Sequence, residues 1–397
     1  MNKILYITRG GLPKDAPSIR VERIAKLLQK IGYDVTVMSS NSHEEQVPIA
    51  YNVNDDYRIM DNGLLYLFEY RKERKSYHRY FEFYELLFAR KLYNRVVRFC
   101  KKNKPDSIVL YNDLYFLTRR LFRFCKKNKI KLYADVTEWY EQKSKDSPLP
   151  VRLVPVLVNK RITNLDQNLD GIIAISPYLY DFYTKISSNV IFVPPLMPIK
   201  EWCQFTVNNC RTLAYAGSPG EKDVLLPLLD ALMFVNADDI KVCLNIVGLS
   251  EKDIRQSWKD VPLLEYGIKA YGRLPHNDTL DVVSRADFGV LLRHNLRYAK
   301  AGFSTKFAEC MSMGVPMICN IVGGCDSLIV NGKDGILLED FNKETLIDTL
   351  KSIALLTDHQ ILSMKNNAFN KAKFLFNADS YHDGFIQLFK HESTYNR

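Results

Sequence analysis

Apolar residues along this chain alternate between short unbroken runs and sets at helical spacing. Residues 3–8 form the first run, and a Gly-Gly pair follows it at positions 10 and 11. A second run, residues 34–38, begins just after Gly32. Between the two runs, apolar residues recur at i, i+3, i+4 and i+7, namely Ile24, Leu27, Leu28 and Ile31. This order predicts a strand, a glycine loop, a helix and a second strand, which together form a βαβ unit.

The same order returns in the second half. Residues 212–216 form an apolar run that leads to Gly217, and residues 242–247 form the next run. Between them lies a helix-spaced set, Leu225, Leu228, Leu229 and Leu232. Further apolar runs are typical of buried parallel strands and comprise residues 107–111, 171–176, 190–193, 288–292, 316–320 and 335–338. Two such openings predict an α/β protein with two doubly wound Rossmann-like domains.

Prolines mark the border between the halves. Pro194, Pro195 and Pro198 open a stretch of weak periodicity that reaches residue 211. This stretch predicts a linker between domains at residues 1–200 and 201–376. We expect no short internal repeat in either domain.

Length and composition are those of a folded protein. The chain has 397 residues, of which 47% are hydrophobic and 25% charged, and this argues against a wholly disordered or fibrous protein. The first apolar run is too short for a signal peptide and no stretch is long enough to span a membrane, so we expect a cytoplasmic protein. Eight cysteines include no C-x-x-C pair and no histidine at zinc spacing, which predicts buried reduced thiols and no metal site.

Two common phosphate-binding motifs are missing from the sequence. After Gly11 the next glycine is Gly32, so there is no G-x-G-x-x-G, and residues 39–41 offer no acidic side chain for an adenine ribose. The sequence also lacks G-x-x-x-x-G-K-[ST]. A dinucleotide-dependent oxidoreductase and a P-loop NTPase are therefore disfavoured.

Glycine loops at the two strand-to-helix junctions are candidates for anion binding. Each would leave backbone N–H groups and a helix N-terminus at the carboxyl ends of the strands. A turn that merely needs a positive φ explains either loop alone equally well. Lys222 favours the functional interpretation of the loop at Gly217, because its ammonium could neutralise a diphosphate leaving group.

Residues 301–316 contain the densest group of candidate residues. Ser304 or Thr305 can cap a helix that runs to about residue 313, and Lys306 adds positive charge at its anion-binding end. Glu309 follows one turn later, where its carboxylate could accept hydrogen bonds from a vicinal diol such as a ribose. A surface position without function explains the spacing of Glu309 equally well.

An ordered set of short motifs carries a resemblance to a known family. In the second half these are LAYAG and Lys222 (residues 213–222), YGRLPH (271–276), ADFGVLL (286–292), FSTKFAE (303–309), MGVPMI (313–318) and NGKDG (331–335). In the first half they are the Gly-Gly opening, AISPYL (174–179) and VPPL (193–196). The set, which spans most of the chain, resembles retaining GT-B glycosyltransferases of family 4, of the polysaccharide- and capsule-assembly type.

The resemblance implies an architecture and an activity. The two Rossmann-like domains would face a cleft, and a helix in residues 377–397 would pack back on the N-terminal domain. A sugar would pass from a nucleotide diphosphate donor to an acceptor with retention of configuration and without a metal. A UDP-sugar is the expected donor, and no cofactor is expected.

Donor-binding residues follow from the resemblance position by position. Glu309 matches the glutamate that holds the donor ribose, and Lys222 matches the lysine that pairs with the phosphates. The first glutamate of the family's motif falls on Ala301, and its loop arginine falls on Ser218. Lys306 resembles a variant that would restore the lost positive charge. The implied donor site comprises Gly217, Lys222, Arg273, Gly302, Phe303, Ser304, Thr305, Lys306 and Glu309.

Residues 132–140 read as a strand that runs into an acidic and aromatic loop. Asp135 and Glu138 resemble the family's catalytic element at this strand end, where a carboxylate would orient the acceptor hydroxyl or stabilise an oxocarbenium-like transition state. A loop-capping role is the alternative for Asp135. The resemblance also implies an acceptor-side loop that contains Gly10, Gly11, Ser18 and Arg20, although a helix-surface charge explains Arg20 as well.

Positive charge is concentrated in one part of the chain. Residues 66–131 contain 19 Lys and Arg against six Asp and Glu, a local charge of +13 in a chain whose total is +10. Aromatic residues interleave with these charges up to residue 99. Such a mixture is typical of proteins that rest on an anionic membrane, which is the expected partner. Nucleic acid could also bind such a segment, but it is not the expected partner. Core aromatics beside a solvated charged face are the alternative.

The sequence thus predicts a cytoplasmic glycosyltransferase, peripheral on the inner face of the membrane. Its acceptor would be a saccharide or lipid-linked saccharide in surface polysaccharide assembly. Two alternatives stay open. One is a GT-B-shaped binding partner without activity, which the residues at Ala301 and Ser218 suggest. The other is a sugar-nucleotide epimerase of the same architecture.

Overall fold

The chain folds into two units, each built around its own β-sheet. The computed structural model describes residues 2–9, 16–39, 51–53, 56–61, 63–68, 79–199, 205–219, 223–322 and 324–390. The first unit comprises Met1–Leu196 together with Ala378–Arg397, and the second comprises Met197–Asn377. The end of the chain therefore belongs to the same unit as its beginning.

A nine-stranded sheet forms the centre of the first unit. Its strands are β1 (Lys3–Thr8), β2 (Asp34–Ser39), β3 (Tyr51–Val53), β4 (Asp56–Asp61), β5 (Leu64–Phe68), β6 (Ser107–Tyr111), β7 (Lys131–Val136), β8 (Gly171–Ala174) and β9 (Val190–Phe192). The order across the sheet is β3-β4-β5-β2-β1-β6-β7-β8-β9. Pairing is antiparallel between β3, β4 and β5 and parallel from β5 to β9. The antiparallel edge is an addition that the apolar pattern did not predict.

Helices cover this sheet and connect its parallel strands. They are α1 (Ala16–Ile31), α2 (Arg79–Phe88), α3 (Arg90–Asn103), α4 (Tyr115–Asn128), α5 (Leu149–Asn164) and α6 (Pro177–Tyr183). Helix α1 buries Ile24, Leu27 and Leu28, as its spacing predicted. Gly32, which has a φ of 107°, lies just beyond its last residue, a conformation that glycine adopts without a steric cost.

The last six residues of helix α3 and its cap have the same sequence as those of helix α4, RFCKKNK, at positions 98–104 and 123–129. The expectation of no internal repeat is therefore wrong. Cys100 and Cys125 are buried at equivalent positions, and Lys104 and Lys129 both adopt a left-handed conformation that ends the helix. Each copy leads into a buried strand, so the repeated unit is a helix, its cap and the start of a strand.

A six-stranded parallel sheet forms the centre of the second unit. Its strands are β10 (Arg211–Ala216), β11 (Val242–Val247), β12 (Ile268–Ala270), β13 (Phe288–Leu291), β14 (Met317–Asn320) and β15 (Gly335–Leu338). Their order is β12-β11-β10-β13-β14-β15. The helices are α7 (Leu226–Val235), α8 (Glu251–Ser257), α9 (His276–Ser284), α10 (Arg297–Ala301), α11 (Thr305–Ser312), α12 (Cys325–Leu328), α13 (Lys343–Ala354) and α14 (Asp358–Leu375). Two doubly wound α/β domains are thus confirmed.

The C-terminal helix α15 (His382–Lys390) packs on the first unit. Phe385, Leu388 and Phe389 are buried in the core that β1 and α1 also supply. The Phe389 ring lies 4.5 Å from the ring of Tyr133, measured between centroids. Burial of three large apolar side chains is worth about 1.5–3 kcal/mol each, which accounts for the attachment of this helix.

The division between the two units, at Leu196 and Met197, falls within the stretch that begins at Pro194. Residues 193–197 are buried, and their carbonyl groups accept hydrogen bonds from α1. Arg20 Nη1 donates to the carbonyl oxygens of Val193 and Pro194 at 2.9 and 3.2 Å, and Arg23 donates to that of Leu196. The prolines restrict the backbone, and the two arginines hold residues 193–196 against helix α1 within the first unit.

Six cysteines are free thiols, namely Cys100, Cys125, Cys210, Cys243, Cys310 and Cys319. Cys100, Cys125, Cys310 and Cys319 are buried, as expected. Cys210 and Cys243 are only half-buried, with their Sγ atoms 2.7 Å apart. Burial raises the pKa of Cys310 to about 12, which keeps this thiol protonated at neutral pH.

Among the described residues, no helix combines the length and the apolar character needed to cross a membrane.

Candidate functional site

The carboxyl edge of the second sheet brings a set of charged residues together. Gly217 follows β10, Arg293 lies two residues beyond β13, and helix α11 begins at the same edge before the chain returns into β14. Parallel strands place their following loops at one edge, which is where ligands bind in doubly wound sheets.

Lys306, in the first turn of α11, reaches across to the end of β10. Its Nζ lies 2.5 Å from Asp223 Oδ2 and donates to the Tyr215 hydroxyl at 3.2 Å. The same ammonium lies 4.5 Å from the centroid of the Tyr215 ring, which is favourable for a cation–π contact. The charge of Lys306 is therefore fixed beside the Gly217 loop.

Arg293 supplies a second cation to the same carboxylate. Its Nε donates to Asp223 Oδ1 at 2.8 Å, and its side chain is 12% exposed. The Asn320 side chain holds the backbone of Arg293 through two hydrogen bonds, of 2.8 and 2.9 Å. We call Tyr215, Asp223, Arg293 and Lys306 the Asp223 cluster. It has a net charge of +1 in little space, so it can attract an anion.

Electrostatics of the Asp223 cluster keep its carboxyl group ionised. Burial by itself raises the pKa of Asp223, but the charges and hydrogen bonds of Lys306 and Arg293 outweigh burial and bring the pKa below its ordinary value. The pKa of Tyr215 is raised, chiefly by burial and then by the nearby Asp223 charge. Its hydroxyl therefore stays neutral and can act as a hydrogen-bond donor.

Gly217 gives Lys306 room to reach Asp223. Its φ is 122°, and a Cβ at this position would lie 2.7 Å from both Cε and Nζ of Lys306. Any side chain there would meet the lysine as well as backbone strain. A side chain at position 217 would therefore displace the end of Lys306 from its contact with Asp223, in addition to straining the turn.

The start of α11 matches its sequence prediction. The Ser304 side chain caps the helix by accepting from the Phe307 backbone N–H, and Thr305 is its first, exposed residue. Gly302 is buried and ends α10. The Phe303 ring lies 5.8 Å from that of Phe307, which is fully buried. Core packing thus fixes the helix end beside which Lys306 lies.

Glu309 is half-buried, three residues after Lys306 on α11. Residues three apart share a face of a helix, so the side chains of Lys306 and Glu309 project from the same side.

The other positions expected in the donor site differ in their surroundings. Ala301 is completely buried at the end of α10. A glutamate there would have to bury its charge. Arg273 is exposed in the loop after β12, near the Asp253 carboxylate. Lys222 lies outside the described residues.

In the first unit, Asp135 is enclosed rather than open. It is fully buried at the end of β7, and Tyr6 donates to its Oδ2 at 2.6 Å. Arg20 donates to it from Nη2 at 2.8 Å and from Nε at 3.1 and 3.0 Å. Burial by itself lowers the pKa of Arg20, but the charge and hydrogen bonds of Asp135 raise it above its ordinary value. Both oxygens of Asp135 are engaged within the protein.

Ser18 and Arg20 lie in helix α1 and are buried. Their expected place in an acceptor-side loop is therefore wrong, because α1 begins at Ala16, before its apolar spacing becomes regular. An exposed helix charge is also excluded for Arg20. Gly10 and Gly11 lie outside the described residues.

Glu138 is more accessible than Asp135. It is half-buried just beyond β7, and its Oε2 accepts from Asn112 Nδ2 at 3.4 Å and from the Tyr140 hydroxyl. Asn112 follows β6 and has a φ of 41°, which is uncommon outside glycine. These polar groups meet at the carboxyl edge of the first sheet, the edge at which ligands bind in this fold class.

Sequence reasoning missed two charged members of the Asp223 cluster. Asp223 directly follows Lys222, and Arg293 directly follows the apolar run at residues 288–292. A charged residue that directly follows a buried parallel strand can be predicted to lie at the carboxyl edge of the sheet. The sequence does not indicate which other charged residue will form an ion pair with it.

Comparison with known proteins gives a family match for part of the chain. Residues 210–356 match the family model of glycosyl transferases group 1. This segment includes all four residues of the Asp223 cluster and also Glu309. No curated protein gives a significant sequence match.

Solved structures resemble the protein over almost its whole length. Sucrose-phosphate synthase from Thermosynechococcus elongatus has 15% identity and a TM-score of 0.68, with 98% of each chain covered. Anabaena HepE in complex with UDP and glucose has 13% identity and a TM-score of 0.64, covering 98% of this chain and 100% of that chain. WaaG, a glycosyltransferase involved in lipopolysaccharide biosynthesis, has 13% identity and a TM-score of 0.62, covering 96% and 98%. The protein therefore has the two-domain Rossmann-like GT-B fold.

Proposed function

We propose that the protein is a glycosyltransferase that uses a nucleotide diphosphate sugar. The observation that carries this proposal is the Asp223 cluster, which fixes two cations beside a glycine loop and a capped helix N-terminus. A leaving diphosphate is the ligand that such a site would stabilise. The match of residues 210–356 to glycosyl transferases group 1 supports the same interpretation.

Each residue of the second unit has a distinct role in this proposal. Lys306 would pair with the diphosphate as the bond to the sugar breaks, and Arg293 would hold Asp223 so that the lysine keeps its position. Backbone N–H groups at the start of α11 would add further donors. Glu309 would accept hydrogen bonds from the ribose, on the same helix face as Lys306. Lys222 and Arg273 complete the donor site inferred from the sequence.

The donor is proposed to be a UDP-sugar, and the acceptor a saccharide or lipid-linked saccharide in surface polysaccharide assembly. HepE with bound UDP and WaaG, with its role in lipopolysaccharide biosynthesis, are the structural neighbours that support this choice. We further propose a cytoplasmic enzyme, peripheral on the inner face of the membrane, with transfer that retains configuration and needs no metal. Glu138 is preferred over Asp135 for the group near the acceptor, because both oxygens of Asp135 already have partners.

Screening of labelled donors tests the proposal. The full chain is incubated with UDP-, GDP- and dTDP-sugars, and the release of nucleoside diphosphate is measured with and without added saccharides. We expect turnover with one nucleotide class and a loss of at least about 100-fold for Glu309→Ala. Lys343→Ala, which removes an exposed lysine of α13 in the same unit, is the control and should behave as wild type. Failure of every donor to bind, as judged by an unchanged Tm, would disprove the proposal.

The residue at position 301, an alanine where the resemblance places a glutamate, favours a second candidate, a GT-B-shaped binding protein without activity. A site that lacks a carboxylate at this position could bind a nucleotide sugar and not turn it over. Donor binding with no turnover in the presence of saccharides would support this candidate. Interconversion of the donor sugar without any acceptor would instead indicate an epimerase.

A further inference from the structure

Helices α3 and α4 form a surface that is rich in cations and free of acidic residues. Neither helix contains Asp or Glu between its first residue and its cap. Ten basic side chains of the two helices and their caps are exposed, namely Arg90, Arg98, Lys101, Lys102, Lys104, Arg119, Arg123, Lys126, Lys127 and Lys129. We call these ten residues the α3–α4 basic face.

The two helices lie side by side, so their charges combine. The Arg120 guanidinium lies 4.8 Å from the ring centroid of Tyr93, and the rings of Tyr93 and Phe124 are 6.5 Å apart. Each helix leads into one of two neighbouring parallel strands, β6 and β7. The helices therefore run in the same direction and bring both copies of RFCKKNK to the amino edge of the sheet.

The location of these lysines separates them from the candidate site. Glu138 and Asn112 lie at the carboxyl edge of the sheet, whereas the repeated lysines lie at the amino edge. A helix of 14 residues is about 21 Å long. Most of the lysines are therefore too distant to contact a substrate at the carboxyl edge.

Some of these cations also have contacts within the protein: the guanidinium groups of Arg90 and Arg119 lie 5.8 and 5.9 Å from the ring centroids of Tyr84 and Tyr115. Arg95, which is buried and donates to the Ser39 carbonyl oxygen, is not part of the exposed set. Asp106, between α3 and β6, accepts from the Lys3 backbone N–H. Lysines in the last turn offset the negative end of a helix, but that end carries only about half a charge for each helix. Ten exposed cations thus exceed what the two helices need.

Exposed apolar side chains occur on the helices that adjoin this face. Helix α2 contacts α4 through Phe88 and Phe116, whose ring centroids are 4.8 Å apart. Helix α5 also contacts α4, because Lys160 Nζ lies 4.8 Å from the ring centroid of Tyr115. These neighbours expose Tyr84, Leu86, Leu149, Val151 and Val156, each by 38–56%. Phosphate groups of a nucleic acid offer nothing for aliphatic side chains to contact, whereas a bilayer offers both headgroups and acyl chains.

We propose that the α3–α4 basic face docks on the surface of an anionic lipid bilayer. Its cations would contact acidic headgroups, and the exposed apolar residues of α2 and α5 would enter the headgroup layer. The inference specifies the membrane contact of the proposed function and stands on charge and exposure alone. It can therefore hold or fail independently of transferase activity.

Vesicle cosedimentation of the full chain tests the inference. The vesicles contain phosphatidylcholine alone, or phosphatidylcholine with about 30% phosphatidylglycerol, at low and at near-physiological salt. We expect binding that requires the acidic lipid, weakens as salt rises and falls at least about tenfold when Lys101, Lys102, Lys127 and Lys129 are all changed to Gln. The matched control changes four exposed lysines of the second unit to Gln, at Lys241, Lys252, Lys333 and Lys343. It should bind as wild type does.

Three results would overturn the inference. One is equal binding to neutral and acidic vesicles. Another is equal loss in the two quadruple variants, which would show a response to net charge and not to this face. The third is salt-sensitive binding to a generic DNA duplex without binding to acidic vesicles, which would assign the face to nucleic acid. Thermal unfolding of each variant, expected at the wild-type temperature, establishes that lost binding is not lost folding.

Discussion

Arg20 and Asp135 form a buried ion pair that ties helix α1 to the end of strand β7. The residues are 115 positions apart in sequence, and the Nη2–Oδ1 distance is 2.8 Å. Arg20 also holds the carbonyl oxygens of Val193 and Pro194, so one side chain connects three parts of the first unit. Asp135 is therefore best understood as the anchor of this arginine.

Loss of Asp135 should destabilise the protein strongly. Asp135→Asn leaves the Arg20 charge buried without its partner, which costs about 3–5 kcal/mol in the free energy of unfolding. Denaturant unfolding of the first unit measures this change. The double variant Asp135→Leu with Arg20→Met should be more stable than Asp135→Asn, because it leaves no charge uncompensated. Wild-type stability of Asp135→Asn would show that the pair is not structural.

Lys306 should affect turnover more than donor binding. Its ammonium is fixed by Asp223 and Tyr215 in position to meet charge that develops on a leaving diphosphate. Lys306→Ala should lower kcat by about 100-fold or more, whereas Lys306→Arg should keep part of the activity. Steady-state kinetics with the accepted donor separate kcat from KM. An unchanged kcat with a raised KM would reduce Lys306 to a residue that only binds the donor.

Asp223 should make stability depend on pH in the acid range. Its pKa in the folded protein lies below its ordinary value because Lys306 and Arg293 outweigh burial. Its ionic contacts therefore stabilise the folded state fully above the unfolded pKa of about 3.9, and this contribution is lost as pH falls through the lower, folded pKa. Urea midpoints of wild type and Asp223→Asn should differ by a constant amount above about pH 5 and converge below pH 4. A difference that persists unchanged to pH 3 would contradict this assignment.

Gly217→Ala should displace Lys306. The added methyl group would lie 2.7 Å from the lysine Cε and Nζ, in addition to the strain of a φ of 122°. We expect lost turnover that resembles that of Lys306→Ala. Gly32→Ala is the matched control, since Gly32 has a φ of 107° with no atom within 4 Å of a Cβ. The Gly32→Ala variant should lose stability through backbone strain and keep its specific activity. Equal losses of activity in Gly217→Ala and Gly32→Ala would show that the contact with Lys306 has no special role.

Apolar patterning predicted the elements that position the donor-side residues. Runs at residues 212–216, 288–292 and 316–320 became β10, β13 and β14, and Ser304 caps α11 as its side chain suggested. Strand pairing in βαβ units follows from local order, so these predictions needed no long-range information. Strands β3 and β4 were missed because polar residues interrupt their apolar positions, as in YNV and DYRIMD. Strand β5, LLYLF, is an unbroken apolar run that could have been predicted.

Sequence by itself determined the two Rossmann-like domains, the glycine loops and the end of the sheet at which charged residues gather. Only the tertiary structure decided which charges pair. Asp223 meets Lys306 and Arg293, which are 83 and 70 residues away, and Asp135 is enclosed by Arg20. Hydrophobic spacing reports which face of an element is buried, because burial depends on local pattern. The partner of a charge depends instead on where distant strand ends meet, and this is fixed only when the sheet has formed.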